Sequence, residues 1–233
     1  MVNSFDASIL SAINSLAGRS AFFDQIMIYA ANSNFKGWLF ISVLLWHWFR
    51  DGDPAAVRKT RDHIVCTVAA GICAIIVARA LALSLPFRVR PRFAPEVHFH
   101  VPATWPTSHL IDWSSFPSDH AVLFAALATG LVFISRRLGI LAFAYITLLV
   151  GFPRIYTGVH YPTDVLVGFL LGAAIGYVFN CSPIRGPLGR ISMRFEHSAP
   201  EIFYPAMFIV SYQIATLFNS VRHLLSLVAK WSG

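Results

Sequence analysis

An apolar run at residues 64–86 constrains the fold of this chain more than any other feature. It contains one charged residue, Arg79, and exceeds the ~20 residues that a helix needs to cross the hydrocarbon core of a bilayer. Only 12% of all residues are charged, against about 25% in soluble domains. Further apolar stretches lie at 36–49, 118–135, 138–153, 163–180 and 203–219. The sequence therefore predicts an all-α integral membrane protein with about six transmembrane helices.

The segments outside these stretches complete a single predicted domain, 1–233. Residues 4–17 alternate apolar and polar positions as an interfacial amphipathic helix does, so 1–34 is predicted to lie at the membrane surface. Residues 35–180 form the predicted core. Residues 181–233 form a predicted cytoplasmic connection and a C-terminal helix.

Basic residues are concentrated in three connections, at 50–62, 136–137 and 181–200. These connections fall on one side if the spans alternate, and the positive-inside rule makes that side cytoplasmic. The connections at 87–117 and 153–163 then face outward. Arg222 and Lys230 follow the last stretch and run against this rule. Nucleic acid is excluded as a partner, because no basic stripe with interleaved aromatics lies outside the helices.

The run at 152–164 spaces Arg154, His160 and Asp164 as R-x5-H-x3-D. A guanidinium matches the geometry of phosphate, and an imidazole can act as base or nucleophile. Asp164, four residues after His160, is expected to lie on the same helical face and to hold one imidazole nitrogen. The run lies between two apolar stretches, so it predicts phosphate chemistry on a lipid at a membrane surface.

Two further clusters lie at the outer ends of predicted helices. Ser118 and His120 follow Pro117 where a span begins, and a helix N-terminus attracts anions; a capped helix with an interfacial histidine is the alternative. Arg88 and Arg90 belong to an alternating basic run at 88–92, which would share one face of an extended backbone and bind phosphate or form a headgroup-binding rim.

Arg79 lies two turns inside an apolar helix, where an arginine costs ~2.5–3.5 kcal/mol and usually marks a functional site. It is expected to reach toward the same anion or to extend its charge to the membrane surface.

Together the clusters resemble the PAP2 (type-2 phosphatidic acid phosphatase) superfamily, whose motifs are K-x6-R-P, P-S-G-H and S-R-x5-H-x3-D. Arg90-Pro91 matches the end of the first motif, 117–120 the second and 154–164 the third. Three positions depart from the pattern: Leu83 replaces the lysine, Asp119 the glycine and Pro153 the serine. Arg79, one turn before Leu83, is a candidate substitute for the lysine.

The resemblance implies a PAP2-like helical bundle with His160 as nucleophile, Asp164 orienting it, and His120 as general acid and base. The phosphate would be bound by a set of side chains consisting of Arg79, Arg88, Arg90, Arg154, Ser118 and Asp119. It implies no cofactor and no metal. It leaves homo-oligomerisation open.

The residues of the second and third motifs are most similar to those of the bacitracin-resistance type of undecaprenyl-pyrophosphate phosphatases. This likeness implies a polyprenyl pyrophosphate substrate, with membrane lipids as surroundings, in the inner membrane of a bacterium and with the site facing outward. Phosphatidic acid, phosphatidylglycerol phosphate, a lipid A phosphate and phosphate transfer between lipids are alternatives. A transporter or a non-catalytic lipid-binding protein is the alternative from another class.

Two smaller patterns are also informative. Gly168, Gly172 and Gly176 form a G-x3-G-x3-G face, which predicts close packing of two membrane helices. His98, His100 and His109 are expected to belong to a hydrated outer loop, with metal binding or pH sensing as alternatives.

Overall fold

The computed structural model of the chain describes residues 2–101 and 110–219, and regular structure in this part is helical throughout. Short 3₁₀ turns lie at Pro91–Phe93 and Pro95–Val97, and a π-turn at Thr147–Gly151 joins α6 to α7. The helices are α1 (Ser4–Asn14), α2 (Ala21–Asn32), α3 (Phe35–Phe49), α4 (Pro54–Ser84), α5 (Asp119–Ile134), α6 (Arg136–Ile146), α7 (Phe152–Tyr156), α8 (Pro162–Asn180), α9 (Ser182–Ser198) and α10 (Pro200–Ala215).

The chain is an all-helical membrane protein, as predicted. In the described part, three helical segments are long and apolar enough to cross a bilayer, at Pro54–Ser84, Arg136–Tyr156 and Pro162–Asn180. Helices α3, α5 and α10 coincide with predicted spans but contain only 15 or 16 residues each. The count of six spans therefore stays a prediction.

Helix α5 is the centre of the bundle, packed between α4, α6 and α8. Every residue from 121 to 131 is buried. A helix that is apolar on all sides must be surrounded by other helices or by lipid. The central position of α5 fixes the place of the polar residues at its first turn.

The predicted glycine face packs α8 against α5. A Cβ added to Gly172 would lie 2.1 Å from the carbonyl oxygen of Val122, and one added to Gly176 would lie 2.6 Å from that of Ala126. Only glycine permits this approach of two backbones. The N-termini of the two helices consequently lie side by side, and the Ser118 N–H donates to the carbonyl oxygen of Asp164 at 3.3 Å.

Helix α4 begins at Pro54, ten residues before the predicted span. Asp53 caps it by accepting a hydrogen bond from the Ala56 N–H at 2.9 Å, and proline is favourable at the first helical position. Most of the connection predicted at 50–62 is therefore helix. The sequence-based boundary was wrong because the added turns are polar rather than apolar.

The three basic connections lie together at the end of the bundle opposite to the first turn of α5. Arg50 and Arg137 line one cavity there, and the side chain of Arg185 on α9 lies 3.0 Å from that of His63 on α4. Two helices, α1 and α2, form in the segment 1–34 that is predicted to lie at the membrane surface. Their placement in the membrane surface and the cytoplasmic assignment of the basic end stay predictions.

The loop that contains His98 and His100 contacts α1 through its backbone. Asn14 donates to the carbonyl oxygen of His100 at 2.7 Å and accepts from its N–H at 2.9 Å. His109, Arg222, Lys230 and the part of the predicted C-terminal segment beyond residue 219 lie outside the described residues.

Candidate active site

A polar cavity of about 390 Å³ lies at the end of the bundle where α5 and α8 begin. Most of the predicted site residues line it: Arg79, Arg90, Asp119, His120, Arg154 and His160. Residues from four separate parts of the sequence thus meet in one place. The remaining wall includes Asn32 at the end of α2, Asn34 just before α3, and Leu217 and Asn219 after α10.

His160 lies on the short loop between α7 and α8. Its Nδ1 atom is 2.7 Å from the carbonyl oxygen of Ser115 and 3.8 Å from Asp164 Oδ2. The Ser115 carbonyl therefore accepts the Nδ1 proton, which leaves the lone pair on Nε2. Arg90 Nη1 lies 3.5 Å from this Nε2 atom.

The expectation that His160 and Asp164 share a helical face was wrong. Helix α8 starts at Pro162, so His160 precedes the helix and Asp164 belongs to its first turn. Asp164 accepts hydrogen bonds from the Tyr161 N–H at 2.8 Å, from the Ser115 hydroxyl and from Arg88. Its carboxylate thus acts on His160 through Ser115 and through its charge.

Ser115 is a site residue that the sequence did not single out. Its hydroxyl donates to Asp164 while its carbonyl oxygen accepts from His160. The Ser115 N–H donates to the carbonyl oxygen of Arg88 at 2.8 Å, which fixes this backbone beside the arginine segment. A lone serine before a Phe-Pro pair offers no signal of this double role, because it depends on how distant segments pack.

The electrostatics of the site favour an uncharged His160. Burial lowers its pKa to about 4, the Asp164 carboxylate opposes this shift, and the charges of Arg90 and Arg154 add to it. At neutral pH the imidazole is therefore uncharged. Burial also lowers the pKa of Arg90, to about 10, which leaves its guanidinium charged.

Arg90 is held rigidly beside His160 by backbone carbonyl groups. Its Nη1 donates to Val159 at 2.8 Å, its Nε to Trp113 at 3.1 Å and its Nη2 to Ser114 at 3.2 Å. A guanidinium fixed in this way keeps its charge in one position when an anion enters.

Arg154 and His120 are in contact in the wall of the cavity. Arg154 is buried in α7, and its Nη2 lies 2.9 Å from the Nδ1 atom of His120 in the first turn of α5. Ser118, just before this turn, is fully buried and makes no side-chain capping bond. Its hydroxyl has no hydrogen-bond partner among residues 2–101 and 110–219. A buried hydroxyl in this state suits a polar ligand.

Arg79 reaches the cavity from inside α4. Its Nη1 lies 2.6 Å from Asp119 Oδ2, and its guanidinium lies 4.3 Å from the centre of the Trp113 ring. Leu83, at the position of the family lysine, is 85% exposed and points away from the bundle. Arg79 therefore lines the polar cavity, and Leu83 does not.

The structure does not bring Arg88 into the polar cavity. Its guanidinium joins Asp6 of α1, at 2.6 Å, to Asp164, and it stacks 4.0 Å from the centre of the Tyr161 ring. Arg88 and Arg90 do not share a face as an extended run would place them, because each is drawn to different partners. This placement argues against the predicted phosphate contact for Arg88.

Pro153, in place of the family serine, is buried in the first turn of α7. Its carbonyl oxygen accepts a hydrogen bond from the Thr157 hydroxyl at 2.8 Å. A proline has no N–H and no polar side chain, so the position gives no donor to a ligand.

Comparison with known proteins places these residues in a family. The family model described as the PAP2 superfamily matches residues 61–185, which include all the predicted catalytic residues. The chain is 29% identical to undecaprenyl-diphosphatase BcrC of Bacillus subtilis (strain 168), over 73% of this chain and 80% of that protein. It is 36% identical to phosphatidylglycerophosphatase B of the same organism, over 39% and 44% of the two chains.

A solved structure is similar as well. It is the crystal structure of the first transmembrane PAP2 type phosphatidylglycerolphosphate phosphatase from Bacillus subtilis, with 25% identity and a TM-score of 0.48 over 76% of this chain and 83% of that one. The family match covers more than half of the present sequence and contains His120, His160, Asp164 and the four arginines of the site described above. The chain belongs to the PAP2 superfamily.

Proposed function

We propose that this membrane lipid phosphatase removes the terminal phosphate of a polyprenyl pyrophosphate, undecaprenyl pyrophosphate, through a phosphohistidine intermediate. The observation that carries the proposal is the state of His160. Its imidazole is neutral, its Nδ1 proton is held by Ser115, and its Nε2 lies beside Arg90 in a cavity shared with Arg154 and His120.

In the first step, Nε2 of His160 attacks the terminal phosphorus. The new bond joins nitrogen to phosphorus, and the bond from phosphorus to the bridging oxygen breaks. His120 donates a proton to that oxygen, so the lipid monophosphate leaves. Phosphorylation makes the His160 ring positively charged, and the carboxylate of Asp164, 3.8 Å from Nδ1, stabilises this charge.

In the second step, water attacks the phosphorus of the intermediate. His120, now deprotonated, takes a proton from this water, the nitrogen–phosphorus bond breaks and inorganic phosphate is released. His160 returns to its neutral form with the Nδ1 proton still bound to the Ser115 carbonyl.

Arginines supply the charge that phosphoryl transfer needs. Arg90 and Arg154 line the cavity and bind the non-bridging oxygens. Ser118 lies directly behind this wall, and its hydroxyl, which has no partner among the described residues, donates a further hydrogen bond once the first turn of α5 adjusts to the ligand. Arg79 joins them when its ion pair with Asp119 opens. Positioning and charge stabilisation are the main requirements of this reaction, so we expect an enzyme that is independent of divalent metal.

The preference for a polyprenyl substrate rests on the similarity to the undecaprenyl-diphosphatase. Phosphatidylglycerol phosphate is the second candidate, because a phosphatidylglycerophosphatase matches a shorter part of the chain at higher identity. Phosphatidic acid and lipid A phosphate remain to be compared in the same assay.

The deciding experiment measures phosphate release by the purified protein in detergent from undecaprenyl pyrophosphate and from each glycerolipid phosphate. We expect the highest kcat/KM for the pyrophosphate, and His160→Ala is the inactive control. A strong preference for a glycerolipid phosphate would refute the polyprenyl assignment. Unchanged phosphate release by His160→Ala would refute the mechanism, whereas wild-type protein that is inactive on every substrate would favour a transporter or a non-catalytic lipid-binding protein.

We also propose that the cavity faces outward from the inner membrane of a bacterium. The proposal is supported by the three basic connections at the opposite end of the bundle and by the positive-inside rule. A cysteine placed at Asn34, in a variant that lacks the three native cysteines, should react with a membrane-impermeant maleimide on intact cells. Labelling only after the cells are broken would indicate that the cavity faces the cytoplasm.

A further inference from the structure

Asp6 on α1 is a fully buried carboxylate outside the three motifs. Its Oδ1 accepts from the Thr163 N–H at 2.8 Å, and its Oδ2 accepts from the Thr163 hydroxyl at 2.7 Å and from Arg88 at 2.6 Å. Asn3 donates to Oδ2 at 3.0 Å. A carboxylate removed from water is stable only with partners of this kind. The positions of these partners indicate which part of the site the Asp6 carboxylate stabilises.

The contacts of Asp6 lead directly to the proposed nucleophile. Arg88 joins Asp6 to Asp164 with two different nitrogens of its guanidinium. Asp164 accepts from the Ser115 hydroxyl, and the Ser115 carbonyl accepts from His160. An unbroken series of hydrogen bonds therefore links α1 to the ring that attacks phosphorus.

Asp6 also binds the first turn of α8. The Thr163 N–H belongs to the first turn of α8, whose N–H groups have no partner within the helix. A carboxylate at this end interacts favourably with the helix dipole. Because Asp164 is the next residue, an anchor on Thr163 fixes the backbone from which the Asp164 side chain projects.

The charges give Asp6 a second role. Asp6, Arg88 and Asp164 together carry a net charge of minus one. If Asp6 were uncharged, Arg88 would neutralise Asp164 alone and no net negative charge would remain beside His160. The second carboxylate thus preserves the ability of Asp164 to stabilise a positively charged phosphohistidine.

We propose that Asp6 is a positioning residue for the nucleophile, acting through Arg88 and Asp164, and that α1 is part of the catalytic unit. The inference rests on the proposed function, since it concerns the same histidine. Asp6 and Arg88 do not line the polar cavity. Their effect falls on turnover rather than on substrate binding.

The test compares Asp6→Asn with wild type on undecaprenyl pyrophosphate. Asparagine keeps one acceptor for Thr163 but removes the charge, so we expect kcat to fall at least tenfold and KM to change less than twofold. Ser8→Ala, an exposed change on the same helix, is the control and should behave as wild type. Wild-type kcat in Asp6→Asn, or a loss confined to KM, would overturn the proposal.

A double-mutant cycle with Arg88→Gln separates positioning from a merely structural docking of α1. If Asp6 acts through Arg88, the double variant turns over no more slowly than Arg88→Gln alone. Losses that multiply would mean that Asp6 acts independently, and would overturn the proposal. Should Asp6→Asn fail to fold, Arg88→Lys replaces it, because a lysine keeps the charge but cannot bridge two carboxylates. A wild-type kcat in Arg88→Lys would also overturn the proposal.

The two proposals fail in different ways. Inactive wild-type protein, or an active His160→Ala variant, contradicts the proposed function itself. Active wild type and inactive His160→Ala, together with full activity in Asp6→Asn, contradict only the role of Asp6.

Discussion

The glycine face between α5 and α8 allows the sharpest prediction, Gly172→Ala. The added Cβ would lie 2.1 Å from the carbonyl oxygen of Val122, whereas real Cβ atoms essentially never approach closer than 3.0 Å. The two helices must therefore separate by about 0.9 Å, because a backbone oxygen has no rotamer by which to move aside. Overpacking of this kind costs about 1–3 kcal/mol, which cancels or exceeds the gain of about 1 kcal/mol from replacing glycine in a helix.

The larger effect is expected on catalysis. Helix α5 carries His120 in its first turn and α8 carries Asp164 in its first turn. A separation of the helices therefore changes the distance between the proposed general acid, His120, and the proposed nucleophile, His160. A misplacement of about 1 Å can cost on the order of 100-fold in rate. We expect kcat of Gly172→Ala to fall by about that factor.

The assay is phosphate release in detergent, with thermal unfolding of the same samples followed by circular dichroism. Gly52→Ala is the matched control, because the nearest atom to its added Cβ is a Val57 methyl at 3.7 Å, an ordinary contact. Equal kcat and equal unfolding temperature in the two variants would refute the argument that close backbone contact sets the geometry of the site.

Three further predictions concern the chemistry. Burial lowers the pKa of His160 to about 4. The value of kcat/KM should therefore stay constant below pH 6.5, the ordinary histidine pKa, and decline only as pH falls through about 4. An acidic decline centred near pH 6.5 would contradict a buried neutral nucleophile. EDTA should leave the rate unchanged, whereas loss of activity restored by Mg²⁺ would refute the role given to the arginines. Arg79→Ala should lower kcat at least tenfold with Leu83→Ala as control, and a wild-type rate would remove Arg79 from the phosphate site.

Much of this architecture was predictable from the sequence because lipid imposes a simple rule on apolar residues. The spans at 36–49, 118–135 and 163–180 agree with α3, α5 and α8 to within a few residues. The convergence of Arg90, His120, Arg154 and His160 followed from their positions at the outer ends of predicted helices. The start of α4 could not be predicted in this way, because its first turns are polar and hydropathy does not distinguish them from a loop.

The detailed geometry of the site was less predictable. The spacing of His160 and Asp164 suggested a shared helical face, but Pro162 starts a new helix between them. Ser115 and Asp6 escaped notice because their roles depend on contacts between segments that are 45 or more residues apart in sequence. Arg88 was predicted to bind the phosphate, because an alternating run of arginines does not indicate which of them will pair with buried carboxylates. In the structure Arg88 pairs with Asp6 and Asp164.

The wall of the polar cavity has two origins. The reacting side chains come from the region that matches the superfamily, 61–185, whereas Asn32, Asn34, Leu217 and Asn219 come from segments before and after it. Changes in these flanking segments can therefore alter which headgroup is admitted without replacing any side chain that is proposed to react. We expect a chimera that carries residues 1–60 of a relative with another substrate to inherit part of that relative's selectivity and to keep the same intermediate.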